Sequence, residues 1–402
     1  MARLAYRLLR QHILQRIIPL SRKKFKLQTD QVIEVIGFFE SYTGIGESAR
    51  LCAVALQKAG YAVRCRSVEA VFRKPKDSEW RFDNCSFDKE VSLRIFHINP
   101  PMMPPVILSL GLKNFLSTYN VGYWAWELES IPSEWQKATK YINAIFTPSE
   151  FTSEAIRRYT CKPVITVLHP VVEESVSLSA PAEARSRLVV ADDTFLVSTI
   201  FSFGSAMERK NPQAVIKTFQ HAFSPVDNAL LILKSNSATD EQKSDLRRLF
   251  GEYKNIRLYD DLWTRDETRG LVACSDLYLS LHRSEGFGLT IAEAMTMKTP
   301  VMVTNYSGNA GFCDEENSFL IDYNLIPVVS DHPEFKGLNA VMWADANTEQ
   351  AGTMLARLYS NRSILKSAAD VAIKTLGEKI HENSYCAGLR SLSENTRALS
   401  LA

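Results

Sequence analysis

The feature that most constrains the fold is a repeated alternation of short apolar strands with amphipathic helices. Residues 32–39, VIEVIGFF, are apolar and β-branched, and residues 48–60 have the pattern of a helix that ends at a glycine. Buried strands that alternate with helices build parallel, doubly wound sheets. The first series predicts further strands at 93–98, 119–125, 144–149 and 164–170, with helices at 133–142 and 149–159.

A second series follows a Ser/Ala-rich stretch at 173–188, whose first half has the composition of an interdomain connection. It predicts strands at 195–203, 229–235, 255–261, 276–282, 299–305 and 319–323, and helices at 211–223, 239–253, 265–275, 290–298, 347–360 and 363–382. Ligands of open α/β sheets bind beyond the carboxyl ends of the strands, so we expect two Rossmann-like domains that face each other across a cleft. The predicted segments are 1–30 (basic, amphipathic), 31–175 (N-terminal Rossmann-like domain), 176–190 (linker), 191–375 (C-terminal Rossmann-like domain) and 376–402 (C-terminal helix and tail).

Composition agrees with two soluble domains. The chain has 402 residues, 46% hydrophobic and 23% charged, and one domain usually takes roughly 150 residues. Its net charge of +2 argues against a nucleic-acid partner. Seven cysteines without a Cys-x-x-Cys pair indicate reduced thiols and a cytoplasmic location. The sequence has no charge-free apolar run of about 18 residues, so we expect no membrane-spanning helix.

The N-terminal segment is an exception to this charge balance. Residues 1–26 hold eight Lys and Arg and no acid, so the remainder of the chain is acidic. Tyr6, Leu9, Ile13 and Ile17 follow helical spacing. Such a helix can lie on an anionic membrane, here the inner face of the cytoplasmic membrane, can pack on the protein itself, or can fray. Peripheral membrane contact through residues 1–26 is therefore one of three open interpretations.

The strongest chemical signal lies in residues 282–311, where a strand is followed by the loop SEGFG, a helix, a strand and a glycine loop. Glu285 lies in the first loop and Glu293 about one turn into the helix. A helix N-terminus attracts anions, and Gly308 allows backbone N–H groups to approach a phosphate. Two carboxylates beside two anion-binding loops suit a sugar nucleotide, because carboxylates accept sugar and ribose hydroxyls.

The string EGFGLTIAE resembles the signature of family 4 of the retaining, nucleotide-sugar-dependent glycosyltransferases, which have the GT-B fold. The resemblance covers about residues 32–385, and it implies that 31–175 is the acceptor-side domain and 191–375 the nucleotide-sugar-binding domain. It implies that Glu285 contacts the donor sugar near its reacting carbon and that Glu293 binds the ribose. It further implies that the sugar is held by backbone groups of Phe287, Gly288 and Leu289. The diphosphate would be approached by Ser307, Gly308 and Asn309.

A second match is FSFGSAMERKNPQ, residues 201–213. Lys210 occupies the position of the family's phosphate-gripping lysine, and a cation there would stabilise charge on the leaving diphosphate. The family's arginine, five or six residues earlier, is absent, since Gly204 and Ser205 occupy that stretch. We expect Arg209 to supply the second cation.

The first domain carries weaker matches. Gly44 and Gly46, in TGIGES after the first strand, suit a tight turn that faces the cleft. Residues 120–135, NVGYWAWELESIPSEW, resemble a subgroup associated with bacterial surface polysaccharide synthesis, but lack the histidine of many relatives. Trp124 and Trp126 would either stack on sugars or pack in a core. Glu127 would take the acceptor proton.

The resemblance therefore implies a retaining hexosyltransferase-type enzyme that moves a sugar from a nucleoside-diphosphate sugar to a hydroxyl of a glycan or lipid-linked acceptor, in surface polysaccharide or lipopolysaccharide synthesis. The nucleotide sugar is a co-substrate, and no cofactor is expected. No Asp-x-Asp motif occurs, so we expect a metal-independent reaction. His97, His169 and His282 are assigned no catalytic role. The alternative is a catalytically silent nucleotide-sugar-binding or accessory protein, motivated by the missing arginine and histidine.

Overall fold

The structure is a computed structural model that describes residues 18–19, 25, 31–76, 78–85, 89–171, 180–338 and 340–401. The predicted amphipathic stripe falls almost wholly outside these residues. Among the helices that the structure describes, none is long and apolar enough to cross a membrane. The chain divides into two compact units. The first runs to Pro170 and resumes at Ile380, and the second is Val171–Lys379.

The first unit is built on a six-stranded sheet in the order β2-β1-β3-β4-β5-β6, whose neighbouring strands are parallel. Every residue of its first strand is buried, as expected for a strand covered on both faces. The strands are β1 Val32–Gly37, β2 Ala62–Ser67, β3 Val91–His97, β4 Tyr119–Tyr123, β5 Ala144–Thr147 and β6 Val164–Thr166. The helices are Gly44–Lys58, Glu69–Phe72, Met103–Leu110, Leu112–Leu116, Ser133–Ala138, Glu150–Arg157 and Tyr385–Leu401, with 3-10 turns at Pro100–Met102 and Thr139–Tyr141.

The C-terminal helix belongs to the core of this first unit. Tyr385, Leu389 and Leu392 are buried there among residues of the sheet and of the first helix. Gly388 permits the close approach, because a Cβ at that position would lie 2.6 Å from a methyl carbon of Val167. The end of the chain is thus part of the same hydrophobic core as its beginning.

The second unit has a six-stranded parallel sheet in the order β12-β11-β10-β7-β8-β9. An antiparallel hairpin of β13 and β14 is added to it. The strands are β7 Phe195–Ile200, β8 Ala229–Lys234, β9 Ile256–Tyr259, β10 Leu277–Ser280, β11 Val301–Thr304, β12 Phe319–Ile321, β13 Tyr323–Pro327 and β14 Met342–Ala346. The helices are Ala180–Arg187, Met207–Lys210, Pro212–Ala222, Asp240–Phe250, Arg265–Cys274, Leu289–Thr296, Thr348–Ser360 and Ser363–Glu382, with 3-10 turns at Ser307–Gly311 and Pro333–Phe335.

The two parallel sheets confirm the predicted α/β class, and most predicted strands and helices occur within a few residues of their expected bounds. Several elements were not expected, including the short helices Glu69–Phe72, Leu112–Leu116 and Met207–Lys210. Helix Ala180–Arg187 lies within the predicted linker, Met103–Leu110 begins at a proline pair, and the β13–β14 hairpin follows the last predicted strand. In the second sheet, β8 lies on one side of β7 and β10 on the other, so the strand order reverses between β7 and β10. Such a switch point opens a crevice at the carboxyl ends of the strands.

Candidate functional site

The candidate site is formed by the loops that leave the carboxyl ends of β7, β10 and β11. The β7 loop contains the short helix Met207–Lys210, which we call the cation turn. The β10 loop contains Glu285, and the β11 loop contains Ser307–Gly311. Because β7 and β10 flank the reversal in strand order, these loops meet at the switch point of the sheet.

The cation turn is fixed against the β10 loop. Asn211, which ends the turn in the left-handed conformation (φ 52°), donates its side-chain amide to the carbonyl of Leu281 at 3.0 Å. Asparagine tolerates this conformation better than most residues do. The turn places Lys210 and Arg209 beside Glu285.

Glu285 forms the charged centre of the site. Lys210 Nζ donates to Glu285 Oε1 at 2.5 Å, and a guanidinium nitrogen of Arg209 lies 3.2 Å from Oε2. Burial of the carboxyl opposes its ionisation, but the charges of Lys210 and Arg209 outweigh burial and lower its pKa to about 2. Glu285 is therefore a carboxylate at neutral pH, and both of its side-chain oxygens are hydrogen-bond acceptors.

Arg209 is buried and reaches back along its own loop. Its guanidinium donates to the Ser205 hydroxyl at 2.8 Å and to the Ser284 carbonyl at 2.8 Å. Ser205 lies in the stretch where the sequence lacks the family's arginine. The guanidinium of Arg209 therefore contacts that stretch from a position four residues further along the chain.

The β11 loop packs directly on Glu285 through backbone groups. The Gly308 N–H donates to the Glu285 carbonyl at 2.9 Å, and the Glu285 N–H donates to the Ser307 hydroxyl at 2.8 Å. A Cβ on Gly308 would lie 2.4 Å from the Gly286 carbonyl oxygen and 2.6 Å from the Phe287 nitrogen, distances that real Cβ atoms essentially never show. Glycine is therefore required at position 308 by its contact with the β10 loop, whereas the sequence analysis gave a different reason, the approach of backbone N–H groups to a phosphate.

A second contact between the β10 and β11 loops is made by the side chains of His282 and Asn309. His282 Nε2 lies 2.8 Å from Asn309 Oδ1, and Asn309 donates its amide to the Thr304 carbonyl at 3.0 Å. Burial lowers the pKa of His282, which favours the neutral imidazole. The hydrogen bonds also show that the side chain of Asn309 is engaged within the protein.

The helix after the β10 loop begins at Leu289. Gly288 precedes it in the left-handed conformation (φ 94°), which favours glycine. The ring of Phe287 is buried, with its centroid 4.9 Å from that of Phe312. Glu293 is half-buried in the second turn of the helix, where the sequence placed it.

The candidates of the first domain lie in the first unit. Gly46 is required by packing, because a Cβ there would lie 2.4 Å from the Phe38 carbonyl oxygen, whereas Gly44 faces open space. Trp124 and Trp126 are buried against Trp135, with ring centroids 6.0 and 4.7 Å away.

These two tryptophans are therefore core residues, and of the two alternatives the structure supports packing rather than sugar stacking. Glu127, which follows Trp126, is half-buried.

One residue of the site was missed. Arg283, two residues before Glu285, donates to the Glu208 carbonyl of the cation turn at 2.8 Å and pairs with Asp345 of β14 at 3.0 Å. The string HR between strand β10 and SEGFG was the available signal. A basic residue in a loop does not by itself show which elements it joins.

The two doubly wound units define the fold class as GT-B, and solved structures share it. The chain is similar to Anabaena Alr3699/HepE in complex with UDP and glucose (TM-score 0.61, 12% identity, 92% of this chain and 100% of that chain). It is similar to a glycosyltransferase from Rickettsia africae (0.64, 14%, 92% and 99%). It is also similar to S. aureus TarM in complex with fondaparinux, alpha-GlcNAc-glycerol and UDP (0.53, 15%, 76% and 55%).

Residues 197–327 match the family model described as glycosyl transferases group 1. This segment contains the EGFGLTIAE string, and it is similar to the group 1 glycosyltransferases over about a third of the chain. A comparison with curated protein sequences gives no significant match.

Proposed function

We propose that the protein is a retaining glycosyltransferase that uses a nucleoside-diphosphate sugar as donor. The observation that carries the proposal is the charged centre, in which Lys210 and Arg209 surround the ionised Glu285 at the switch point of the second sheet. A site of this kind offers cations to a diphosphate and a carboxylate to sugar hydroxyls. HepE and TarM, which share the fold, were solved with UDP, which supports a donor of this class.

The loops of the second unit suggest how the donor is held. The diphosphate lies near Lys210 and the backbone of Ser307 and Gly308, while Glu285 accepts hydroxyls of the sugar and Glu293 those of the ribose. Lys210 pairs with Glu285 in the structure, so donor binding requires its ammonium to exchange the carboxylate for phosphate oxygens. An ammonium on a flexible stem suits this exchange, because its donors rotate freely.

In the transfer step, the bond between the anomeric carbon and the diphosphate oxygen breaks, and the acceptor oxygen bonds to the same carbon with retained configuration. Lys210 stabilises the negative charge on the leaving diphosphate. Glu127 takes the proton of the acceptor hydroxyl. We propose that no metal is required, since the side-chain cation and backbone N–H groups supply this stabilisation. Turnover that is unchanged by EDTA would support this point, and loss of turnover that Mg²⁺ or Mn²⁺ restores would contradict it.

The proposed acceptor is a glycan or lipid-linked oligosaccharide of surface polysaccharide synthesis. The resemblance of residues 120–135 to a polysaccharide-associated subgroup supports this class, and the eight basic residues within 1–26 suit a membrane-bound acceptor. Cosedimentation with anionic vesicles tests the membrane contact. Binding should be lost when residues 1–26 are deleted and weakened by salt. Binding that survives the deletion would contradict the assignment.

The central experiment is a donor screen by thermal shift with UDP- and GDP-sugars, followed by product analysis with the donor that stabilises the protein. Lys210→Ala and Glu285→Gln should each lower turnover about 100-fold or more, by analogy with the loss of one preorganised electrostatic group. Lys217→Ala and Glu241→Gln change exposed residues of the same unit and are the matched controls. Near-normal turnover in both site variants would overturn the site assignment. Donor binding without transfer to any acceptor of a broad panel would favour a catalytically silent binding protein.

A further inference from the structure

The β13–β14 hairpin extends beyond the family-matched segment, which ends at residue 327. Its two strands pair from Tyr323 with Ala346 to Pro327 with Met342. Trp343 of the returning strand is 1% exposed, and its ring meets that of Phe335 edge-on at 6.0 Å. The hairpin therefore has an apolar anchor of its own within the second unit.

Arg283 joins this hairpin to the β10 loop. Its side chain donates to Asp345 Oδ1 from two nitrogens, at 3.2 and 3.0 Å, and its guanidinium carbon lies 5.6 Å from the centroid of the Trp343 ring. Its carbonyl accepts from the Ala344 N–H at 2.9 Å. Backbone and side chain of one residue thus hold the returning strand.

The same residue also holds the cation turn. The Arg283 N–H donates to the Arg209 carbonyl at 2.7 Å, and a further guanidinium nitrogen donates to the Glu208 carbonyl at 2.8 Å. The connection between the hairpin strands reinforces this contact, since the Ser330 hydroxyl donates to the Glu208 carboxylate at 2.9 Å. Three elements distant in sequence therefore converge on Arg283.

Arginine suits this role for a geometric reason. Its guanidinium is planar and carries five N–H donors in a fixed fork, whereas lysine offers a single rotating ammonium. The fork reaches the Asp345 carboxylate and the Glu208 carbonyl simultaneously. Lys210 follows Glu208 and Arg209, whose carbonyls accept from Arg283, and Glu285 lies two residues after Arg283 in the chain. The contacts of Arg283 therefore lie next to both residues of the ion pair.

We propose that Arg283 is a positioning residue, through which the β13–β14 hairpin fixes the separation between Lys210 and Glu285. This inference rests on the proposed function, because the consequence of the separation is measured as sugar transfer. A displacement of about 1 Å in a reacting constellation can lower the rate about 100-fold. Arg283 acts through the two loops that it joins.

The kinetic test compares Arg283→Ala and Arg283→Lys with the wild-type protein. We expect Arg283→Ala to lower kcat about 10- to 100-fold while the KM for the donor changes by less than about 3-fold. The kcat of Arg283→Lys should lie between those of the wild type and Arg283→Ala, because one ammonium can replace only part of the guanidinium's contacts. Added guanidinium should partly restore the kcat of Arg283→Ala. Arg248→Ala removes an exposed ion pair with Asp245 in the same unit and is the matched control. Wild-type kcat in Arg283→Ala would overturn the proposal.

Hydrogen exchange separates this proposal from the proposed function. In Arg283→Ala, peptides that cover residues 205–211 and 281–286 should exchange faster than in the wild type, while the helix Asp240–Phe250 should be unchanged. Unchanged exchange in both peptides, or an equal increase over the whole unit, would overturn the positioning role. Selective loosening in a protein whose wild type transfers no sugar would support the contact network and overturn the proposed function instead.

Discussion

Glu285→Gln should remove a pH-dependent part of the stability of the donor-free protein. The Glu285 carboxyl ordinarily has a pKa of 4.5, and the site lowers it to about 2. A carboxyl whose pKa is lowered on folding stabilises the protein above its unfolded pKa, and this contribution is lost as the pH falls toward the folded pKa. The full difference of about 2.5 pKa units corresponds to about 3 kcal/mol at neutral pH.

The two pKa values determine the pH range over which the contribution of Glu285 to stability is lost. Lowering the pH from 7 to 4 should remove about 1 kcal/mol of this contribution, and lowering it to 3 should remove about 2 kcal/mol. The glutamine side chain of the Glu285→Gln variant cannot titrate, so the difference in unfolding free energy between the wild type and this variant should shrink by these amounts.

The assay is urea unfolding at pH 7, 4 and 3, followed through the second unit by hydrogen exchange or a local probe. Glu241→Gln, at an exposed position, is the control, and its difference from the wild type should change far less over the same range. A difference between the wild type and Glu285→Gln that stays constant from pH 7 to pH 3 would refute the lowered pKa. It would also show that Lys210 and Arg209 do not hold the carboxylate in solution.

Four further substitutions test the packing of the two units. Gly308→Ala should weaken nucleotide binding in calorimetry by displacing the loop that meets Gly286, and unchanged affinity would argue against that loop as a ligand contact. Trp126→Ala should cost roughly 3–5 kcal/mol of unfolding free energy as a core cavity, without raising the donor KM in proportion. Gly46→Ala should destabilise the protein by roughly 1–3 kcal/mol in denaturant unfolding, while Gly44→Ala, whose Cβ would face open space, should not. Equal effects of the two would contradict the packing reason given for Gly46.

The sequence was sufficient to predict the two sheets because their strands are dominated by apolar residues, with few charged residues such as Glu34 and Lys234. VIEVIG and ALLILK are buried at every position, so a run of buried-type residues identified them directly. The β13–β14 hairpin escaped the same reasoning. Its first strand contains Asn324 and Pro327, which lower the β-strand propensity of the segment. The strand is also partly exposed, so it lacks a run of buried apolar residues.

The sequence also predicted part of the candidate site, namely the residues that lie in strings resembling a known family. Glu285, Lys210 and Gly308 belong to strings whose resemblance to a family indicated their positions, and the structure brings all three together. The role of Arg283 could not be predicted, because its partners are Asp345 and Glu208, which are 62 and 75 residues away in the sequence. Local pattern carries no information on such pairs.

The C-terminal helix has a consequence for how the protein is synthesised. A chain that leaves the ribosome from its N-terminus presents the sheet of the first unit early, but Tyr385, Leu389 and Leu392, which complete that core, emerge after the whole second unit. Domains generally fold as units during synthesis, and the first to emerge usually folds first. Here the second unit, Val171–Lys379, can complete its core before the first unit can. Vectorial folding should therefore complete the second unit before the first, with the unfinished first unit exposed to chaperones until residues 385–392 have been synthesised.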